Sequence, residues 1–314
     1  MKYPSELHQI VSESPRLAPL TKRSYITAIN RWIAFAGPDP AGWNRNVAHR
    51  FYLQLINSGI SVRSANTMMN SLKYAAKWWA DRSPGARIDF THIELAPNSP
   101  STPREALDPT QALAILDTTL VGTPIDIRDR ALLVVALETG MRSMSLAGMS
   151  WDGLKSNYPR CSVPLKGKGE VPYDVPLSDA AMLALGHWRA WLAKHKVKGG
   201  DVWRRLLPGI DQKGLRAYEI SDVGISQQAI YKMVVSRAER AGSGHVHPHI
   251  FRHTYVTWRT ELGMPLEQII SMTGHSPSHS LGSAGGYMDR GRLGAIARQV
   301  TPEWLANWCQ TNCR

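Results

Sequence analysis

Residues 247–277 read HPHIFRHTYVTWRTELGMPLEQIISMTGHSP. Apolar side chains recur at helical spacing over 249–262 and again over 266–273, and Gly274 closes the second run. His249 and Arg252 are three residues apart. With His249 at the start of the helix they share one face and present an imidazole and a guanidinium to the same phosphate. The arginine fork suits phosphate oxygens. His275 stands just after the second helix.

The same kind of placement recurs upstream. In 131–154, ALLVVALETGMRSMSLAGMSWDGL, a helix expected over 126–139 is apolar throughout 131–137 and so central to a core. Gly140 ends it and Arg142 follows. A further helix is expected over 110–120. Strand, turn and strand are expected over 161–165, Lys166-Gly167-Lys168-Gly169 and 171–177, the one sheet signal in the chain. The remainder reads as helical, over 180–194, 226–240 and around 302–308.

Helical spacing also marks the first hundred residues, through Tyr25, Ile29, Trp32 and Phe35, then Val47, Phe51 and Ile56. A third run, capped by Ser61, continues to Trp79. Arg63, Lys73 and Lys77 give the third run a basic side. Prolines from Pro84 to Pro109 interrupt any long periodicity. The expected organisation is a helical N-terminal domain over 1–96, a linker over 97–108 and a second domain over 109–314. The fold class is mainly α with a small β-sheet.

The 314 residues are 43% hydrophobic, enough for real cores, which excludes a disordered tail. Lys plus Arg number 37 against 25 Asp plus Glu, a net charge of +12 that favours a polyanionic partner. No stretch has the roughly 20 apolar residues of a membrane span, and residues 1–10 lack the order of a signal peptide. Cytoplasmic location, nucleoid-associated when bound to DNA, and no membrane partner are expected. The odd set Cys161, Cys309 and Cys313 argues against a disulfide framework. The tryptophans at 78, 79, 188 and 191 read as core or interface rather than base-stacking platforms.

The order of these segments resembles the tyrosine recombinase (phage integrase) family. Residues 247–277 look like its second box, 131–154 resemble its first, and KGKGEVPYDVPLS at 166–178 is similar to its lysine-bearing β-hairpin. The resemblance runs from about residue 110 to 300, and the basic helical region before the linker looks like the family's core-binding domain. It implies two domains closing as a C-shaped clamp on duplex DNA.

Carried over residue by residue, Arg142 and Arg252 look like the two catalytic arginines. His249 precedes the second, His275 takes the His or Trp position, and Tyr287 is the nucleophile. Counting back from Val175-Pro176-Leu177 favours Lys168 as the catalytic lysine, and counting forward from Arg142 allows Lys166. The implied reaction is attack of Tyr287 on a phosphodiester to give a 3′-phosphotyrosine, with charge stabilised by arginines and imidazoles. No cofactor and no metal are implied. Neutral imidazoles at 245, 247, 249, 253, 275 and 279 also permit a metal reading, unaccompanied by carboxylates or thiolates.

Two departures stand out. Ser145 occupies the place where the family usually has an acidic residue supporting the first arginine, and twelve residues rather than nine separate His275 from Tyr287. They prompt a different-class alternative, a catalytically silent DNA-binding or architectural protein, beside a type IB topoisomerase-like enzyme. DNA-binding candidates are Arg63, Lys73, Lys77, Lys232 and Arg237. The expected partner is double-stranded DNA with paired core sites, bound by a homotetramer assembled from monomers or dimers, with room for accessory DNA-bending proteins. A C-terminal helix carrying Trp304, Leu305 and Trp308 has two places to go, its own domain or a neighbouring subunit as in the family's cyclic assemblies, and the second is expected.

Overall fold

The computed structural model describes residues 3–82, 90, 93–98, 105–154, 160–163, 173–197, 199–210, 216–273 and 301–313. The chain divides into two compact units, one ending at Thr102 and the other beginning at Pro103.

The first unit consists of helices α1 (Tyr3–Glu13), α2 (Pro19–Ala36), α3 (Arg45–Asn57) and α4 (Val62–Arg82). Asn44 starts α3 by accepting from the backbone N–H groups of Asn46 and Val47, the usual N-cap arrangement. Trp32 is fully buried at the centre, with Trp43, Phe51 and Phe90 edge-on to it at 5.7, 5.4 and 5.1 Å. Such T-shaped contacts add to the burial of the rings. Helix α1 escapes the periodicity reading because it is short, yet its Leu7, Ile10 and Val11 all enter this core. On α4, Arg63 and Lys77 are exposed and Lys73 is half-buried. At about 100° per residue the three lie within an arc of roughly 80°, opposite Leu72 and Trp79.

The second unit is built around α6 (Pro124–Thr139), whose residues 131–137 are all buried. Thr123 and Asp126 form a capping box at its start, and Asp108 with Gln111 does the same for α5 (Pro109–Asp117). Helix α7 (Ser143–Ala147) follows, then an antiparallel pair β1 (Arg160–Val163) and β2 (Tyr173–Pro176), in register from Arg160 opposite Pro176 to Val163 opposite Tyr173. Helix α8 (Asp179–Lys194) packs along α6. The chain continues through α9 (Gln227–Arg240), α10 (Pro248–Glu261), α11 (Leu266–Thr273) and, after a gap in the described residues, α12 (Glu303–Asn312).

One difference from the sequence expectations has a physical reason. A second antiparallel hairpin, β3 (Arg204–Ile210) with β4 (Arg216–Gly224), lies where no strand was expected. Pro208 and Gly209 sit inside β3, and both residue types argue against a strand interior when read locally. In a two-stranded sheet each strand is an edge, so the proline is tolerated.

Helix α12 packs on its own unit. Leu305 and Cys309 are fully buried, Trp304 meets Trp258 edge-on at 5.0 Å, and Trp308 Nε1 donates to Asp117 Oδ1 at 2.8 Å. Arg130 donates to the Asn312 carbonyl near the helix end. Trp304 and Trp308, both half-buried, pack against the core of the same unit.

Candidate active site around Arg142 and Arg252

Helix α6 ends because Gly140 turns left-handed, with φ of +59°. A Cβ at Gly140 would lie 2.7 Å from Tyr255 Cδ1, so both the backbone angle and the space require glycine. Gly140→Ala is expected to cost about 2–4 kcal/mol of stability, readable as a lowered urea midpoint; an unchanged midpoint would refute the tight packing. Two residues on, Arg142 is the N-cap residue of α7, with extended backbone and an exposed side chain.

Arg252 occupies the second turn of α10 and is only 3% exposed. Its Nη1 donates to the Gly140 carbonyl and to the Thr273 carbonyl, both at 2.9 Å. One guanidinium nitrogen thus fastens the turn carrying Arg142 to the last residue of α11. Arginine alone among the cations combines a permanent charge with several donors in a rigid plane. His249, three residues earlier on α10, is exposed.

Ser145 is buried on α7. The turn is also tied to α9, by Gln227 Nε2 donating to Ser143 Oγ at 3.0 Å, a neutral contact.

Beneath Arg252 lies a polar network that sequence reasoning missed. Arg259 Nη2 pairs with Glu138 Oε1 at 3.2 Å, and Glu138 Oε2 accepts from Thr301 Oγ1 at 2.8 Å. The Arg259 guanidinium lies 4.9 Å over the Tyr255 ring, whose hydroxyl donates to Met272 Sδ at 3.7 Å. Burial pushes the Tyr255 phenol above its ordinary range, so it stays neutral. The signal for this network was present as the spacing 252, 255, 259, one face of α10. At the other end of the unit's chain path, Leu107 N–H donates to Thr254 Oγ1 and Trp258 Nε1 donates to the Leu107 carbonyl, seating the start of this unit on α10.

The remaining site candidates divide clearly. Lys166 and Lys168 lie between Val163 and Tyr173, and His275 and Tyr287 lie between Thr273 and Thr301, all outside the described residues. Lys232 is exposed on α9.

Arg237, a DNA-binding candidate by sequence, is buried instead of facing solvent. It is 4% exposed, its Nη2 lies 2.7 Å from both Asp126 Oδ1 and Asp129 Oδ2, and its Nη1 donates to the Thr118 carbonyl. Two carboxylates of α6 hold it inside the protein. Burial alone would raise the Asp126 carboxyl, but hydrogen bonds from Thr123 and Arg237 outweigh that and hold it below the ordinary carboxylate range.

Residues 105–283 match the profile of the phage integrase family. The chain is similar to tyrosine recombinase XerC of Xylella fastidiosa (strain M23), 27% identical over 261 residues that cover 82% of each chain. Its fold is similar to that of a lambda integrase tetramer bound to a Holliday junction, with TM-score 0.68 and 14% identity over 90% of this chain and 79% of that one. It is similar as well to XerH site-specific recombinase bound to difH substrate, with TM-score 0.62 and 15% identity over 87% and 79%. The two arginine-bearing turns fall within the matched segment. The chain belongs to the phage integrase family, that of the tyrosine recombinases, whose enzymes cleave and rejoin DNA strands.

Proposed function

We propose that the chain is a site-specific DNA recombinase acting through a 3′-phosphotyrosine, with Arg142, Lys168, His249, Arg252, His275 and Tyr287 as its catalytic set. The observation that carries this reading is the Arg252 guanidinium, whose one nitrogen holds both the Arg142 turn and the end of α11. A scissile phosphate bound there meets two arginines held in fixed relation to each other. Their donors match the charge that grows on the nonbridging oxygens as phosphorus becomes five-coordinate.

Tyr287 Oη attacks phosphorus, the 5′ oxygen departs, and the new O–P bond stores the energy for rejoining. Lys168 protonates the departing oxygen, a role open to Lys166 as well. His249 takes the tyrosine proton and His275 donates to a phosphoryl oxygen. A 5′-hydroxyl of a partner strand then attacks phosphorus, releases Tyr287 and joins the strands.

Duplex DNA is the substrate, with the N-terminal unit serving as the core-binding domain and the second unit as the catalytic domain. The net charge of +12, the basic side of α4 and the exposed Lys232 support this. Binding by phosphate neutralisation weakens steeply with salt. Assembly is a tetramer on paired core sites, as the similar lambda integrase is a tetramer on a Holliday junction. With α12 packed on its own unit, the free chain is expected to be a monomer.

The test is covalent capture on nicked duplexes taken from the flanks of the gene, where the nick lets the cleaved strand diffuse away. A chelator-resistant adduct on the Tyr287 peptide, absent from Tyr287→Phe, is expected. Specific binding with no adduct would instead establish the architectural reading that Ser145 prompts, and relaxation without pairing of sites would establish a type IB topoisomerase.

A further inference from the structure

Four rings gather at the start of α10. The Tyr231 ring on α9 lies 6.5 Å from that of His247 and 15° from parallel. His247 stands in the same relation to His249, again at 6.5 Å and 15°, while His245 meets His247 more nearly edge-on at 6.0 Å. Tyr231 is 39% exposed, His245 and His249 are exposed, and His247 is half-buried. The ladder therefore faces outward. His247 is the N-cap residue of α10, but its side chain makes no cap hydrogen bond.

The ladder adjoins the site. His249 is three residues from Arg252, and Gln227, one turn before Tyr231 on α9, donates to Ser143 beside Arg142.

Three ligand chemistries can be weighed against this geometry. Two imidazoles sharing a zinc ion at about 2.0–2.1 Å from their nitrogens bring their ring centroids to roughly 5 Å. The observed 6.0 and 6.5 Å are wider, and a phenol adds nothing to such a site. A phosphate asks for donors and is indifferent to ring planes. Near-parallel rings, Tyr231 exposed and His247 half-buried, match a third ligand, a flat heterocycle, because base on aromatic stacking needs π faces and tolerates any base. On the recombinase reading, strand exchange unpairs bases beside the scissile phosphate, which would bring such a heterocycle next to this ladder.

We propose that Tyr231 and His247 form a stacking site for an unpaired nucleobase flanking the phosphate held at Arg142 and Arg252. The position of that base rests on the recombinase reading; the stacking itself is measurable without any chemistry.

The experiment compares the full chain binding a mixed-sequence duplex with its binding to the same duplex carrying three central mismatches, which leaves the number of phosphates unchanged. Anisotropy gives the two affinities, and a 2-aminopurine at the mismatch reports stacking by quenching. The mismatched duplex is expected to bind about fivefold or more tightly, with quenching. Tyr231→Ala and His247→Ala are expected to lose the preference and keep the native affinity for paired duplex, which also shows that they fold; Tyr231→Phe keeps both. Equal binding of the two duplexes by the native chain, or a preference that survives both alanine variants, overturns the proposal. Adducts on nicked DNA, scored in parallel, report on the recombinase reading separately. Adducts without a mismatch preference discard the stacking site alone, and a Tyr231-dependent preference without adducts retains it while discarding catalysis.

Discussion

Arg252→Lys is expected to slow strand cleavage by about 10²–10³-fold, the usual cost of losing one preorganised donor to a transition-state oxyanion. In the native chain Nη1 is spent on two backbone carbonyls, at Gly140 and Thr273, and the plane of the guanidinium then sets where its other nitrogens point. A lysine ammonium is a compact charge on a flexible stem. It can stay on the carbonyls or reach a phosphate, and loses the fixed geometry in either case. Duplex affinity, carried by many other cations, should fall far less. Single-turnover adduct formation at saturating protein separates the two quantities, and a cleavage rate within about threefold of native would sink the assignment.

The second large effect is one of stability. Arg237→Ala is expected to cost about 3–5 kcal/mol, because it leaves Asp126 and Asp129 buried without their shared cation. Asp129 keeps Arg128, whose Nη2 is 2.6 Å away, so the lower part of that range is the better expectation. At roughly 2–4 °C per kcal/mol for a unit of this size, the midpoint falls by on the order of 10 °C. Below the midpoint the salt dependence of DNA binding should be unchanged. Lys232→Ala should do the reverse, lowering the salt slope by about one phosphate contact with stability within about 0.5 kcal/mol of native. Equal stability of Arg237→Ala and the native chain would mean that the pair contributes nothing.

The same cluster predicts a pH dependence. The folded Asp126 carboxyl is held below its ordinary value. Its contribution to stability is therefore complete above about pH 4, where the unfolded group is ionised, and disappears as pH falls through the lower folded value. Arg237→Ala should flatten the acid side of the stability curve, measured as urea midpoint against pH. An acid limb identical to native would show that Asp126 does not contribute it.

The contrast between Arg237 and Lys232 marks where local reading fails. Both sit on α9 among polar neighbours, and by composition both look like solvated cations. What separates them is Asp129, 108 residues away in the chain, which only the packing of α9 against the start of α6 brings within reach. The buried face 252, 255, 259 of α10 poses the same difficulty, since Arg259 reads as a surface charge until Glu138 is placed beside it. The β3 and β4 pair was hidden by Pro208 and Gly209, whose local preference is overruled by pairing with β4.

By itself, the sequence determined the features whose causes are local. Those are the helices set by apolar spacing and the Ser61 cap, the left-handed stop at Gly140, and the placing of Arg142, His249 and Arg252 just after or at the start of helices. Only the tertiary structure decided which cations face solvent and which are buried in ion pairs, where α12 lays its apolar face, and that Arg252 fastens two distant carbonyls. The physical reason is that spacing and capping act within a few residues, whereas the stability of a buried charge depends on a partner that the chain must fold to supply.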